Sequence, residues 1–201
     1  MVLAGLLLFA AQPAWADWFV VPALGVSFAS NTNLVDLDLA ADRTKTSLGL
    51  SLLWLDDGWL GGWLGAEGDL GYVGGAFDGT AAAASDPALV SRSSVTTAMG
   101  SLIVAAPLSL TRHSLRPYGA AGFGLIRAAN DDFLNVFQFR EHLLGLRFGG
   151  GAMGMLSDTV GLRWDVSHVR TLKGQGDSSG LSIGSRSLSF WRFSMGVMVR
   201  F

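Results

Sequence analysis

Glu67 and Asp69 lie two residues apart, as do Arg163 and Asp165, while Arg192 and Arg200 share a parity and Arg147 sits among glycines and leucines. Residues two apart share a face of an extended strand. Carboxylates and guanidinium groups gathered in this way can neutralise one another in a packed interior, or line a gated path for ions or protons. Other combinations are chemically weaker. Ser167 and His168 are adjacent, but neighbours on a strand point to opposite faces, and a nucleophile must lie within hydrogen-bond reach of its base. Gly149 to Gly154 satisfies G-x-G-x-x-G, yet it runs into Ser157-Asp158 rather than a helix, which removes the dinucleotide reading. His113, His142 and His168 are spread along the chain without metal-ligand spacing. Asp131 and Asp132 read as solvated loop acids, with calcium the alternative. No cofactor is implied.

The elements that must position these charges are strands. Leu188 to Phe201 alternates without a break: Trp191, Phe193, Met195, Val197, Val199 and Phe201 against Arg192, Ser194, Gly196, Met198 and Arg200. Two different solvents on its two faces are the simplest cause. The same alternation marks Phe19–Ser30, Thr46–Leu55, Leu60–Phe77, Pro117–Ala128, His142–Met155 and Val160–Thr171. Val95–Ala106 alternates weakly, with Leu102 and Val104 assigned outward. That makes eight strands.

Half of the residues are hydrophobic, yet the best apolar run, between Arg92 and Arg112, contains seven Ser/Thr residues and Pro107. Helical membrane spans need longer, cleaner runs, whereas strands hide hydrophobicity on alternate residues. The connections follow a rhythm. The first, third, fifth (Asn130–Glu141) and seventh are long. The second (Asp56-Asp57-Gly58) and sixth (Ser157-Asp158) are tight, and the fourth is moderate. Short turns at one end and long loops at the other suit a membrane barrel, and an even strand count puts both ends of the mature chain on the short-turn side. A strand of about ten residues tilted near 45° spans about 23 Å, close to the ~25 Å apolar band of such barrels. Edges cannot stay unpaired in lipid, so the first strand should close against the last.

The expected fold is therefore all-β: an eight-stranded antiparallel up-and-down transmembrane β-barrel over 17–201, preceded by a signal peptide over 1–16. Val2–Ala11 would be the apolar core of that peptide and Ala14-Trp15-Ala16 its small-x-small cleavage site. By parity the lumen receives Glu67, Asp69, Arg147, Arg163, Asp165, Arg192 and Arg200, which should form one paired network because unpaired buried charge is costly. Trp18, Trp54, Trp59 and Phe201 should sit near the periplasmic interface and Trp191 nearer the outer rim, where amphipathic rings are favoured. A net charge of −2 gives no pointer to nucleic acid, and the absence of cysteine excludes disulfides and a lipoprotein anchor.

Arg116-Pro117-Tyr118-Gly119-Ala120-Ala121-Gly122-Phe123-Gly124 resembles the fifth-strand motif of small outer-membrane barrels, the opacity-type surface antigen and OmpA-like β-barrel families. Leu162-Arg163-Trp164-Asp165 resembles their seventh strand, and the ending on Phe201 resembles their C-terminal assembly signal. The resemblance implies a non-enzymatic bacterial outer-membrane protein, monomeric, in contact with outer-membrane lipid and lipopolysaccharide and handled by the barrel-assembly machinery. It also implies a structural or surface-interaction role, with host or envelope ligands at the loops. A narrow porin-like channel is the alternative. A lipid A deacylase is the further one: that family carries His-x-Ser-Asn, but here His168 is followed by Val169, Arg170 and Thr171.

Overall fold

The computed structural model describes residues 16–32, 44–56, 63–75, 92–111, 115–131, 139–172 and 188–201. Eight strands run in sequence order: β1 (Ala16–Thr32), β2 (Lys45–Asp56), β3 (Leu64–Gly74), β4 (Arg92–Ala105), β5 (Arg116–Asp131), β6 (Phe139–Met155), β7 (Val160–Thr171) and β8 (Leu188–Arg200). A single helical turn, α1 (Leu108–Thr111), lies between β4 and β5. Each strand pairs antiparallel with its sequence neighbour, and β1 pairs with β8, so the sheet is a closed barrel. The expected cleavage segment before Ala16, the Asp57-Gly58 turn, Trp59, His113 and most of the long connections lie outside the described residues.

The alternation read from the sequence sorts inside from outside. Outward positions carry exposed apolar side chains on every strand, among them Leu24, Leu50, Leu70, Leu102, Phe123, Leu144, Val166 and Met195, with Leu102 and Phe123 both 71% exposed. A continuous apolar belt on this scale is incompatible with water as its solvent. Among the described residues no helix is long and apolar enough to cross a membrane. A closed barrel crosses one with all its backbone groups paired.

Several boundaries differ from expectation. β3 occupies Leu64–Gly74 rather than Leu60–Phe77. β5 and β6 stay paired out to Asn130↔Phe139, so the fifth connection shrinks to 132–138. Polar residues there suggested a loop, but a backbone ladder can continue beyond the lipid with polar side chains on it. In β4 the inward face carries Val95, Met99 and Ile103 beside Thr97 and Ser101. Both faces are then partly apolar, which is why its alternation is weak. β1 carries a bulge against β8 between Phe28 and Asn31, where Ala29 adopts φ 47°. An extra residue in left-handed backbone is a usual bulge geometry.

The lumen is layered. Towards the short-turn end, Phe19, Val21, Leu53, Leu55, Ile103, Tyr118, Met153 and Met198 form one buried cluster. Towards the long-connection end, Val73, Val95, Met99, Ile126, Val169, Leu188 and Phe190 form another. The inward charges lie between the two.

Candidate functional site in the barrel lumen

Period-two alternation delivers the six inward charges from four strands: Glu67 and Asp69 from β3, Arg147 from β6, Arg163 and Asp165 from β7, Arg192 from β8. Glu67 is the hub. Arg163 donates to both its oxygens, Nη1 to Oε1 at 2.7 Å and Nη2 to Oε2 at 3.0 Å, a bidentate fork. Arg147 Nη1 donates to Glu67 Oε2 at 3.3 Å, and its Nη2 to Asp165 Oδ1 at 3.0 Å. Arg192 Nη2 donates to Asp69 Oδ1 at 2.8 Å. Arg147 Nη1 also lies 3.8 Å from Asp69, which joins the two halves. All six are buried. Three guanidinium groups face three carboxylates, so the layer is neutral as a whole.

Arg200 does not belong to this network. It shares the inward parity but stands at the end of β8, where its side chain is 44% exposed and its Nη2 lies 2.6 Å from Asp17 Oδ1. Parity fixes a direction and not a depth; an inward residue in the last position of a strand reaches the mouth, not the middle.

Two partners went unnoticed in the sequence. Tyr118 Oη accepts from Arg163 Nε at 2.7 Å and donates to Asp165 Oδ2 at 2.8 Å. The Arg163 guanidinium also stands 4.7 Å from the centre of the Tyr118 ring. Ser51 Oγ donates to Asp69 Oδ2 at 3.2 Å. The signal for Tyr118 was available, since it shares a parity with the inward Gly122 and Gly124. Two glycines make room for the network. A Cβ on Gly71 would meet the Arg192 guanidinium and, at 2.6 Å, Thr97 Oγ1. A Cβ on Gly151 would meet the Trp164 carbonyl and lie 3.0 Å from Tyr118 Oη.

Beside the network is a cavity of about 20 Å³, walled by Ala23, Gly25, Ser47, Gly49, Ser194 and Gly196. That is room for about one water molecule. The Nε atoms of Arg147 and Arg192 have no hydrogen-bond partner in the protein. Buried apolar clusters lie on either side of the cavity along the lumen. Among the described residues no group of His, Asp and Glu is arranged to hold a metal ion.

Ser167 and His168 fall on opposite sides of the sheet. Ser167 is fully buried in the lumen, while His168 lies on the outer wall between Phe148, 6.1 Å away and stacked, and Trp191, 4.8 Å away and tilted. Trp191 is thus placed towards the long-connection end. Trp18 and Trp54 are cross-strand partners at the short-turn end, and the Phe201 N–H donates to the Trp18 carbonyl. Trp63, just before β3, adds a further exposed ring there.

No curated protein matches the chain in sequence. Its fold is similar to solved structures of small barrels. Neisserial surface protein A aligns at TM-score 0.63 and 15% identity, over 92% of this chain and 99% of that one. A major outer membrane protein of Thermus thermophilus aligns at TM-score 0.58 and 15% identity, over 92% and 99%. Ail, the attachment invasion locus protein of Yersinia pestis, aligns at TM-score 0.53 and 11% identity, over 93% and 99%. At these identities the likeness is one of fold. The sequence profile described as outer membrane protein beta-barrel domain matches residues 1–201. With its lipid-facing belt, closed sheet and whole-length match, the chain belongs to the outer membrane β-barrel protein family, and its place is the bacterial outer membrane.

Proposed function

We propose that this protein is a closed, non-enzymatic barrel that anchors and displays its long connections at the cell surface for contact with host or envelope partners. The observation that supports it best is the three-layer filling of the lumen. A neutral belt of six paired charges lies between two apolar clusters, with a void of about 20 Å³ beside it. An eight-stranded barrel is just wide enough for side chains to fill, and a filled interior leaves the connections as the variable surface. The separation of Ser167 from His168 across the sheet supports the non-enzymatic part.

Two measurements test the reading. Purified barrel in planar bilayers should give no stable conductance steps above background; reproducible steps would replace the display role with a channel. Cells carrying the full chain should be retained on immobilised matrix protein or heparin, and shortening 78–91 or 172–187 should abolish that retention. Retention unchanged by both deletions would remove the connections from the role.

A further inference from the structure

Two buried donors of the charged layer have no acceptor in the protein, and both belong to side chains that wall the lumen cavity: Arg147 Nε and Arg192 Nε. The two side chains are 2% and 6% exposed. A buried N–H without a partner carries the full cost of its desolvation. Ser101 Oγ and Ser167 Oγ also lack a partner, but neither residue lines this cavity. The acid on the same wall has room for a further donor. Asp69 accepts from Arg192 Nη2 at Oδ1 and from Ser51 Oγ at Oδ2, and a carboxylate offers about four lone-pair sites. Between the two halves of the layer runs only the 3.8 Å approach of Arg147 Nη1 to Asp69 Oδ1, too long for a hydrogen bond. The hydroxyl-bearing residues Ser47 and Ser194 complete the polar part of the wall.

We propose that this cavity is a binding site for one structural water molecule, which accepts from Arg147 Nε and Arg192 Nε and donates to Asp69. The partners decide the class of occupant, because the site asks for an acceptor and a donor at once. A monatomic anion accepts but cannot donate. It would also make a layer of three guanidinium groups and three carboxylates net negative, where unpaired charge is costly. A cation would face two N–H groups. Water serves both signs without adding charge, and a polar cavity of about 20 Å³ with several partners is enough to hold it. Bound there, it bridges the Arg192–Asp69 pair to Arg147 and so turns two groups of ion pairs into one network. The inference goes beyond the display role and stands whether or not the long connections bind a partner.

Gly49 gives a test in which the alternatives differ in sign. It is an inward position of β2 in the cavity wall, and a Cβ there would meet Ala23 Cβ at 3.6 Å and the Leu70 carbonyl at 3.8 Å, both ordinary contacts. In a dry void, Gly49→Ala would stabilise the barrel, since it fills space and glycine weakens a strand interior. In a water site, the methyl group displaces the water and strands both Nε–H groups, so the unfolding equilibrium constant in urea should rise about tenfold. Gly49→Ser, which returns a hydroxyl acceptor, should recover most of that loss. Gly68→Ala, with nothing within 4 Å of its Cβ, controls for the backbone change and should leave stability unaltered. In NMR spectra of the full barrel in micelles, the Arg147 and Arg192 Nε–H protons should cross-relax with a long-lived water in the wild type and lose that signal in Gly49→Ala. Three results each overturn the assignment: Gly49→Ala neutral or stabilising, Gly49→Ser as costly as Gly49→Ala, or wild-type Nε–H protons without water contact. A fourth would put an anion in place of the water: exchanging gluconate for chloride shifts the unfolding midpoint of the wild type but not of Gly49→Ala.

Discussion

Removing Glu67 is the sharpest probe of the lumen. Its carboxylate takes the Arg163 fork at 2.7 and 3.0 Å and one Arg147 bond at 3.3 Å. In Glu67→Ala, Arg163 keeps only the Tyr118 hydroxyl and a long contact to Asp165 at 3.6 Å. Arg147 keeps Asp165 at 3.0 Å and Asp69 at 3.8 Å. Three guanidinium groups then face two carboxylates in a space where every member is nearly inaccessible to water. Breaking a buried pair from one side costs about 3–5 kcal/mol, because the surviving charge stays buried. Arg200→Ala breaks an ion pair whose arginine is 44% exposed, and should cost under about 1 kcal/mol. Adding Arg163→Met to Glu67→Ala removes the surplus charge, so the double variant should be more stable than Glu67→Ala alone, with a coupling of about 1–3 kcal/mol. The assay is reversible urea unfolding in lipid vesicles, followed by tryptophan fluorescence and by heat-modifiable migration in gels. Two results would refute the reasoning: Glu67→Ala no costlier than Arg200→Ala, or Arg163→Met adding to the loss instead of relieving it. Either would mean that water and counter-ions screen the lumen.

Two further perturbations separate the glycines and the lipid belt by the same urea assay. Gly151→Ala would push against the Trp164 carbonyl and Tyr118, costing about 1–3 kcal/mol as overpacking does, whereas Gly68→Ala, with nothing within 4 Å of the new Cβ, should be neutral; equal effects would show that the tight approach at Gly151 is not felt. Met195→Arg, exposed midway along β8 between Trp191 and Phe201, should cost about 2–4 kcal/mol in a bilayer, and Phe201→Arg, at the end, about 0–1 kcal/mol; a flat profile would contradict a lipid-embedded belt.

The sequence carried the architecture because lipid enforces a binary rule. A polar side chain on the outward face is expensive over the whole thickness, so alternation persists strand after strand and can be read without any knowledge of contacts. Val160–Thr171 was located to the residue for this reason, and β8 to within one. The rule weakens where its cause weakens. Beyond the lipid, β5 and β6 stay paired past Ala128 with polar residues that look like a loop. In the lumen, Val95, Met99 and Ile103 serve as packing, so β4 shows apolar residues on both faces. Arg200 shows the same limit in another form. Its parity was legible, but its depth depended on where β8 ends relative to its neighbours. Tyr118 was hidden for a chemical reason: a phenol makes no charge signal, although its hydroxyl takes part in two of the network's shortest bonds.

Alternation alone also leaves one question of construction open, and the charged layer answers it. A slip of one residue in any strand would turn its apolar face inward and is strongly excluded. A slip of two preserves every inside–outside assignment and nearly all of the lipid-facing area. In β3 such a slip would bring Gly65 or Asp69 to the level of Glu67. With Gly65 there, Arg163 and Arg147 would lose their hub; with Asp69 there, the shorter carboxylate would face the Arg163 fork and Glu67 would move among Leu55, Ile103 and the rest of the apolar cluster. Each alternative buries an unpaired charge, at a cost that exceeds what a closed barrel loses in one pair of ladder bonds. Contacts that span β3 to β6, β7 and β8, across chain separations of 80, 96 and 123 residues, therefore discriminate among registers that the hydrophobic pattern treats as equal. The six charges need contribute little net stability relative to an apolar filling; their effect lies in the energy of the wrong closures.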